Sequence, residues 1–337
     1  MPERGRQTAE FLAAAGWRGA EIRALAGDAS FRRYHRVRRN GARAVLMDAP
    51  PDREDVRPFV RVARHLLDLG LSAPVVLAAD EAAGLLLLED FGDDTFTRLL
   101  AAGADEAALY RLAVDVLIHL HRLPPQDSLP HGLPAYDRRR VLDEALLLTD
   151  WYMPAVFGRP TDEAARRDYV AAWEEALAPV LAEPATLVLR DFHVDNLVRL
   201  TGRSGVAACG LLDFQDAVAG PAAYDLMSLL EDARRDVPPA LRADMLDRYR
   251  SGLNDVDWSS FERVFAVLAA QRHAKVIGIF TRLCRRDGKA AYLVHIPRVW
   301  RLLERALQER VLAPAARWFE RHVPGSARIV PPPTGSQ

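Results

Sequence analysis

The chain has 337 residues, half of them hydrophobic, and a formal net charge of -1 at pH 7. That length suits one large domain or a two-lobed fold with a sizeable core. The near-neutral balance argues against general nucleic-acid or membrane-surface binding. Cys209 and Cys284 are the two cysteines, far apart and outside any CxxC spacing, so they read as reduced buried thiols of a cytoplasmic protein. No uncharged apolar run approaches the ~20 residues that cross a bilayer, and the charged N-terminal stretch does not read as a signal peptide. Lysine occurs only at Lys275 and Lys289, so arginine carries the remaining positive charge.

The first ~90 residues read as β-rich and the rest as mainly helical. Residues 21–27 and 31–49 make three strands, the last two joined at Asn40-Gly41, a hairpin signal because both central turn residues need positive φ. Residues 55–70 repeat apolar side chains at helical spacing and stop on Gly70. Residues 75–80 and 84–90 form a second hairpin. Helices are predicted over 105–123, 137–157 and 162–182, with a Pro/Gly-rich break at 123–134. Short strands follow at 186–189, 197–200 and 206–214, and helices fill most of 221–322. The fold class expected is therefore α+β and bilobal: a five-stranded N-lobe with one helix over residues 1–90, a larger helical C-lobe over 91–325, and a loose tail at 326–337. The crevice is expected near residues 89–93, where the lobes join.

Residues 187–200 read LVLRDFHVDNLVRL, a polar knot clamped between apolar runs. Asp191 and Asn196 have the spacing D-x4-N, and Asp213 ends the next apolar strand. A hairpin between Asn196 and Asp213 would set a carboxamide and a carboxylate side by side, a donor pair suited to Mg²⁺ with nucleotide phosphates. Asp191, a few residues upstream, would orient a substrate hydroxyl. Each residue alone reads better as a turn cap or strand end; the set together does not. His193 reads as a hydrogen-bonding scaffold residue rather than a zinc ligand, since the histidines form no HExxH or similar set.

LRDFHVDN, then GLLDF, then GPAAYDLMSLL together resemble the aminoglycoside phosphotransferase/choline kinase superfamily, over roughly residues 20–325. The resemblance implies a protein-kinase-like fold, Asp191 as base, Asn196 and Asp213 on Mg²⁺, and Asp225 as the residue that braces the catalytic loop. Leu189 stands where that family often has His. The stretches GDASFRRYHRV, MDAPPDREDVRPFV and KVIGIFTRLCRRDGKAAYLVHIPRVW look like the anomeric cell-wall sugar kinases. That group phosphorylates the C1 hydroxyl of N-acetylmuramate and N-acetylglucosamine in peptidoglycan recycling.

A protein kinase has a strand-three lysine where this chain has Met47, and no lysine precedes Lys275. Arg32 or Arg33 is the candidate replacement, with Ser30 and Phe31 turning over the phosphates and Glu54 or Asp55 pairing the arginine. Adenine is expected against Leu88–Phe91, so Glu89 and Phe91 join the nucleotide set. Arg272, Lys275, Arg282 and Arg286 share one helical face, which would suit an acceptor bearing a carboxylate, as N-acetylmuramate does; a solvated face is the bland alternative. Asp216, Glu231 and Asp232 are candidates for sugar hydroxyls, or face solvent. The reading is of a monomer using ATP, Mg²⁺ and a small amino sugar, without nucleic acid or membrane. Two rivals stay open: another acceptor, aminoglycoside or choline-like, and a catalytically dead kinase-shaped binding module, for which Met47 and Leu189 speak.

Overall fold

A computed structural model describes residues 3–25, 31–254 and 256–332. In chain order the elements are α1 (Glu3–Ala14), β1 (Glu21–Ala24), β2 (Arg33–Arg39), β3 (Ala42–Asp48), α2 (Arg57–Asp68), β4 (Val76–Asp80) and β5 (Leu85–Glu89). Then come α3 (Phe96–Ala101), α4 (Glu106–His121), α5 (Pro125–Ser128), α6 (Arg138–Ala145), α7 (Met153–Phe157), α8 (Glu163–Ala176) and α9 (Ala178–Ala182). Four short strands follow: β6 (Ala185–Val188), β7 (Leu197–Arg199), β8 (Cys209–Leu211) and β9 (Val218–Pro221). Helices α10 (Ala223–Leu230), α11 (Pro239–Gly252), α12 (Trp258–Asp287), α13 (Ile296–Ala306) and α14 (Ala313–His322) complete the chain. Two compact units result, Met1–His119 with Asp191–Ala217, and Leu120–Arg190 with Val218–Gln337.

The first unit is built on an antiparallel sheet ordered β1-β2-β3-β5-β4. Asn40 and Gly41 take φ 49° and 80°, as the tight β2–β3 turn demands. Strand alternation gives the sheet two faces. Val37, Ala44, Leu46, Leu85 and Leu87 pack with Leu12 of α1 on one face. That N-terminal helix is a second helix beside the one expected; its weakly apolar, charge-rich sequence hides a narrow stripe at Phe11 and Leu12. Helix α2 buries Phe59, Val60, Val62, Ala63 and Leu66, and Phe59 stacks on Phe214 with ring centroids 4.9 Å apart. This contact docks α2 directly behind the loop that carries Asp213.

In the second unit β6 pairs with β9, while in the first β7 pairs with β8. Strand β9, over Val-Ala-Gly-Pro, was not expected: the run is short and carries both strand-disfavouring residues. Helix α12 is the unit's axis. Asp257 caps its start by accepting from the Ser259 and Ser260 amides, and Gly288 ends it with φ 70°. By length and composition α12 would cross a bilayer, but 83% of its most apolar window is buried inside the protein, which makes it a core helix. A Cβ on Gly278 would lie 2.3 Å from the Leu147 carbonyl carbon, so only glycine lets α12 reach that backbone. Gly278→Ala is expected to cost about 1–3 kcal/mol of stability through this overpacking, read as a lowered denaturant midpoint.

Candidate active site

In the first unit, residues 191–196 form the loop ahead of β7. The Asn196 Nδ2 donates to the Asp191 carbonyl at 2.9 Å, and the Asn196 amide donates to the His193 carbonyl at 2.9 Å. With its nitrogen committed, the Asn196 carboxamide turns Oδ1 the other way. The loop is fixed from beneath: Phe192, His193 and Val194 are buried, and Thr97 bonds Asp195. His193 lies 3.9 Å from the Asp195 carboxylate and 3.5 Å from the Asn196 amide, inside the loop's own scaffold.

The β7–β8 hairpin carries the second half. Leu197 faces Leu211 in register, and the Leu212 amide donates to the Asn196 carbonyl at 2.9 Å. Asp213 is the next residue along, so Asn196 and Asp213 leave the hairpin together. Asp213 sits at φ 57°, a left-handed conformation that costs a residue with a side chain about 1–2 kcal/mol. Burial and the neighbouring Asp191 charge push its carboxyl above the usual range, with Arg32 opposing them. A half-buried carboxylate held against another acid is an environment that favours a cation.

Arg32 supplies one. Its guanidinium lies 3.7 Å from Asp213 and 3.9 Å from Glu54, with the side chain 10% exposed. Glu54 also accepts from the Phe31 amide at 3.3 Å. Arg33 is exposed, as alternation requires. Tyr34, opposite Met47 in the ladder, is partly buried beside this group and its phenol is pushed up to about 12, chiefly by desolvation and then by the Asp213 and Glu54 charges, against Arg32. Met47 itself is 1% exposed and part of the core. Phe31 is exposed and lies under the Arg53 guanidinium. Asp55 pairs with Arg57 rather than with Arg32. Ser30 lies outside the described residues.

At the end of β5, Glu89 pairs with Arg203, which also donates to the Ser72 hydroxyl at 2.7 Å. Phe91 rests on the β7–β8 hairpin: a Cβ on Gly210 would meet its ring at 2.7 Å. The Asp90 side chain, 1% exposed, holds Arg36 at 2.7 Å, and Asp93 takes the same guanidinium at 2.9 Å. Arg36 and Arg203 escaped the sequence reading. In so arginine-rich a chain, nothing local marks the ones that meet a carboxylate. Asp216 is exposed beside Gln215, which donates to it and to Asp213 at 3.4 and 3.0 Å.

In the second unit, Asp225 is 1% exposed and accepts from the Leu189 and Arg190 amides at 2.6 and 2.9 Å. Leu189 is buried, so apolar packing and Asp225 anchor the strand end. Arg272 is buried, Arg282 is half-buried, and Lys275 stands 2.9 Å from Glu144. Arg286 is exposed and pairs with Asp287. Glu231 does not face solvent: it is buried against His273, Arg242 and Arg305. Burial pushes its carboxyl up, but His273 and the two arginines outweigh that and hold it down at about 2. It borders a cavity of about 500 Å³ that also takes in Tyr249, Trp258, Phe261 and Phe265. Asp232 is buried and caps the Arg234 amide at 2.7 Å.

Phosphoryl transfer asks for alignment and charge rather than a covalent relay. One unit brings together an aspartate, a carboxamide, a strand-end carboxylate and a partly buried guanidinium, groups of the kind such chemistry can use. Residues 21–263 match the profile described as the phosphotransferase enzyme family, and the chain belongs to that family. The N-acetylmuramate/N-acetylglucosamine kinase of Caulobacter vibrioides is 37% identical, the match covering 97% of this chain and 98% of that one. The enzyme of the same name from Pseudomonas aeruginosa is 37% identical over 89% of each chain. Among solved structures, the GDP complex of aminoglycoside 2'-phosphotransferase-IIIa superposes with a TM-score of 0.61 at 16% identity, covering 90% of this chain and 98% of that one, which establishes a shared fold.

Proposed function

We propose that the protein is an ATP-dependent sugar kinase that phosphorylates the anomeric C1 hydroxyl of N-acetylmuramate and N-acetylglucosamine in peptidoglycan recycling. The names of relatives similar along almost the whole chain support the acceptor class. The observation that carries the chemistry is the joining of Asp191, Asn196, Asp213 and Arg32 in one unit. The likeness to aminoglycoside phosphotransferases is one of fold, and lends no weight to an aminoglycoside acceptor.

Asp191 accepts a hydrogen bond from the C1 hydroxyl and takes its proton late in the transfer. The anomeric hydroxyl is more acidic than an ordinary alcohol, so a carboxylate is base enough. Asn196 Oδ1 and the Asp213 carboxylate are the pair that would hold Mg²⁺; both are oxygen donors, and the raised Asp213 carboxyl fits a cation partner. When bound, the metal neutralises charge on the nucleotide phosphates. Arg32 takes the place of the strand-three lysine, its fork suited to phosphate oxygens and its orientation set by Glu54.

The deciding experiment is incubation with N-acetylmuramate, ATP and Mg²⁺, followed by a reducing-end assay. The product is expected to have lost its reducing end; a phosphorylated product that keeps it would place the phosphate elsewhere. Arg32→Ala removes a charge-assisted contact worth about 1.5–3 kcal/mol, so KM for ATP is expected to rise about 10- to 100-fold. KM for the sugar should stay within about twofold in the same steady-state series.

A further inference from the structure

Arg190, immediately before Asp191, is in the left-handed backbone region with φ 71°. Three side chains of the second unit hold it there. Asp225 accepts from its amide at 2.9 Å, and the Ser228 hydroxyl donates to its carbonyl at 3.4 Å. Glu144, on α6, takes its guanidinium in a buried ion pair. The Glu144 carboxylate is the centre of a wider network. The same Oε1 receives Lys275 at 2.9 Å, while Oε2 accepts from the Tyr136 hydroxyl at 2.8 Å and from Gln271 at 3.5 Å. Burial pushes the Glu144 carboxyl up, but Lys275 and Arg190 outweigh it and hold it below the usual range.

Asp225 fixes the amides of residues 189 and 190, which sets where β6 ends. It leaves open the rotation about Arg190 that aims the following peptide. Tying the Arg190 side chain to a buried carboxylate fixes its Cα–Cβ direction and closes that freedom. A relaxation of Arg190 to an ordinary backbone region would swing Asp191 with it, and a displacement near 1 Å at a reacting group costs on the order of 100-fold in rate.

We propose that Glu144 is a positioning residue for the transfer: acting through Arg190, it sets the backbone conformation that presents Asp191 to the sugar hydroxyl. Lys275, in this arrangement, is the counter-charge that seats Glu144. The inference rests on the reading of Asp191 as the base.

Removing Glu144 alone would strand two buried cations, so the main variant is E144Q/K275M, which removes anion and cation together. Assays use the full chain with ATP, Mg²⁺ and N-acetylmuramate. The expected result is a kcat about 10- to 100-fold lower, with both KM values within about twofold of wild type. R190M should lose a similar factor, and E144Q/K275M/R190M should be no worse than R190M within about threefold, because the residues act in series. Multiplying losses, or a folded E144Q/K275M with near-normal kcat and only a lowered melting temperature, would overturn the proposal. Y136F, which takes one hydrogen bond from Glu144 without unpairing a charge, is the second probe. A severalfold fall in kcat at constant KM supports the inference, and an unchanged kcat counts against it should the double variant fail to fold. Asp191→Asn is the separate control: near-normal turnover there would remove the base itself, whereas its loss beside an unaffected E144Q/K275M would sink the Glu144 role alone.

Discussion

Asp191→Asn is expected to lower kcat by about 10²- to 10⁴-fold, the range set by removing a general base, while leaving the fold intact. The substitution keeps shape and takes away the capacity to accept a proton. The loop should survive it, because the loop is held by the Asp191 carbonyl and not by its carboxylate: the Asn196 side-chain Nδ2 donates to that carbonyl, and Phe192 and Val194 are buried beneath. KM for ATP should change little, since the nucleotide contacts assigned to Arg32, Asn196 and Asp213 remain. Steady-state rates with N-acetylmuramate, beside a thermal melt of the same preparation, test this. Turnover within a few-fold of wild type would mean that another group takes the proton.

Asp213→Ala should be at least as damaging to kcat, on the order of 10³-fold or more, because charge stabilisation contributes more to this reaction than proton removal. Asp213 has a further signature that separates function from stability. Its carboxyl is raised by burial and by Asp191. A carboxyl with a folded pKa above its unfolded value, near 3.9, favours the fold when protonated. Its stabilising effect is therefore present below about pH 3.9 and is lost as pH rises through the higher folded value. At neutral pH the ionised group works against the ligand-free fold. Asp213→Asn removes that charge and keeps a residue that tolerates positive φ. The expected outcome is an inactive protein whose melting temperature without nucleotide at pH 7 matches or exceeds that of the wild type, the gap closing toward pH 4. A clear loss of stability at pH 7 would show that the Arg32 contact outweighs the burial and repulsion.

Local signals made much of this molecule legible from its sequence. Asn40-Gly41 specified a hairpin because few residues accept two positive φ values in succession. The 3.6-residue spacing of Phe59, Val60, Ala63 and Leu66 specified the apolar face of α2. D-x4-N followed by a strand ending in Asp213 was readable because a hairpin of known period places its ends side by side. Such features depend on residues a few positions apart, whose backbone preferences and alternation are properties of the chain itself.

What the sequence could not decide was which of many similar residues would meet across long stretches of chain. Arg32 and Arg33 are chemically identical neighbours; the chain entering β2 turned the first toward Glu54 and Asp213 and left the second exposed. Lys275 reads as one cation of a basic helical face suited to an acceptor carboxylate, and nothing marks Glu144, yet packing of α6 against α12 set the two together with Arg190. Strand β9 has too little propensity to declare itself and exists because β6 lies beside it. The physical reason is common to all three. The energy of a charge or a strand edge is decided by what desolvates and pairs it, and the partners lie tens of residues away, brought close only by the folded chain.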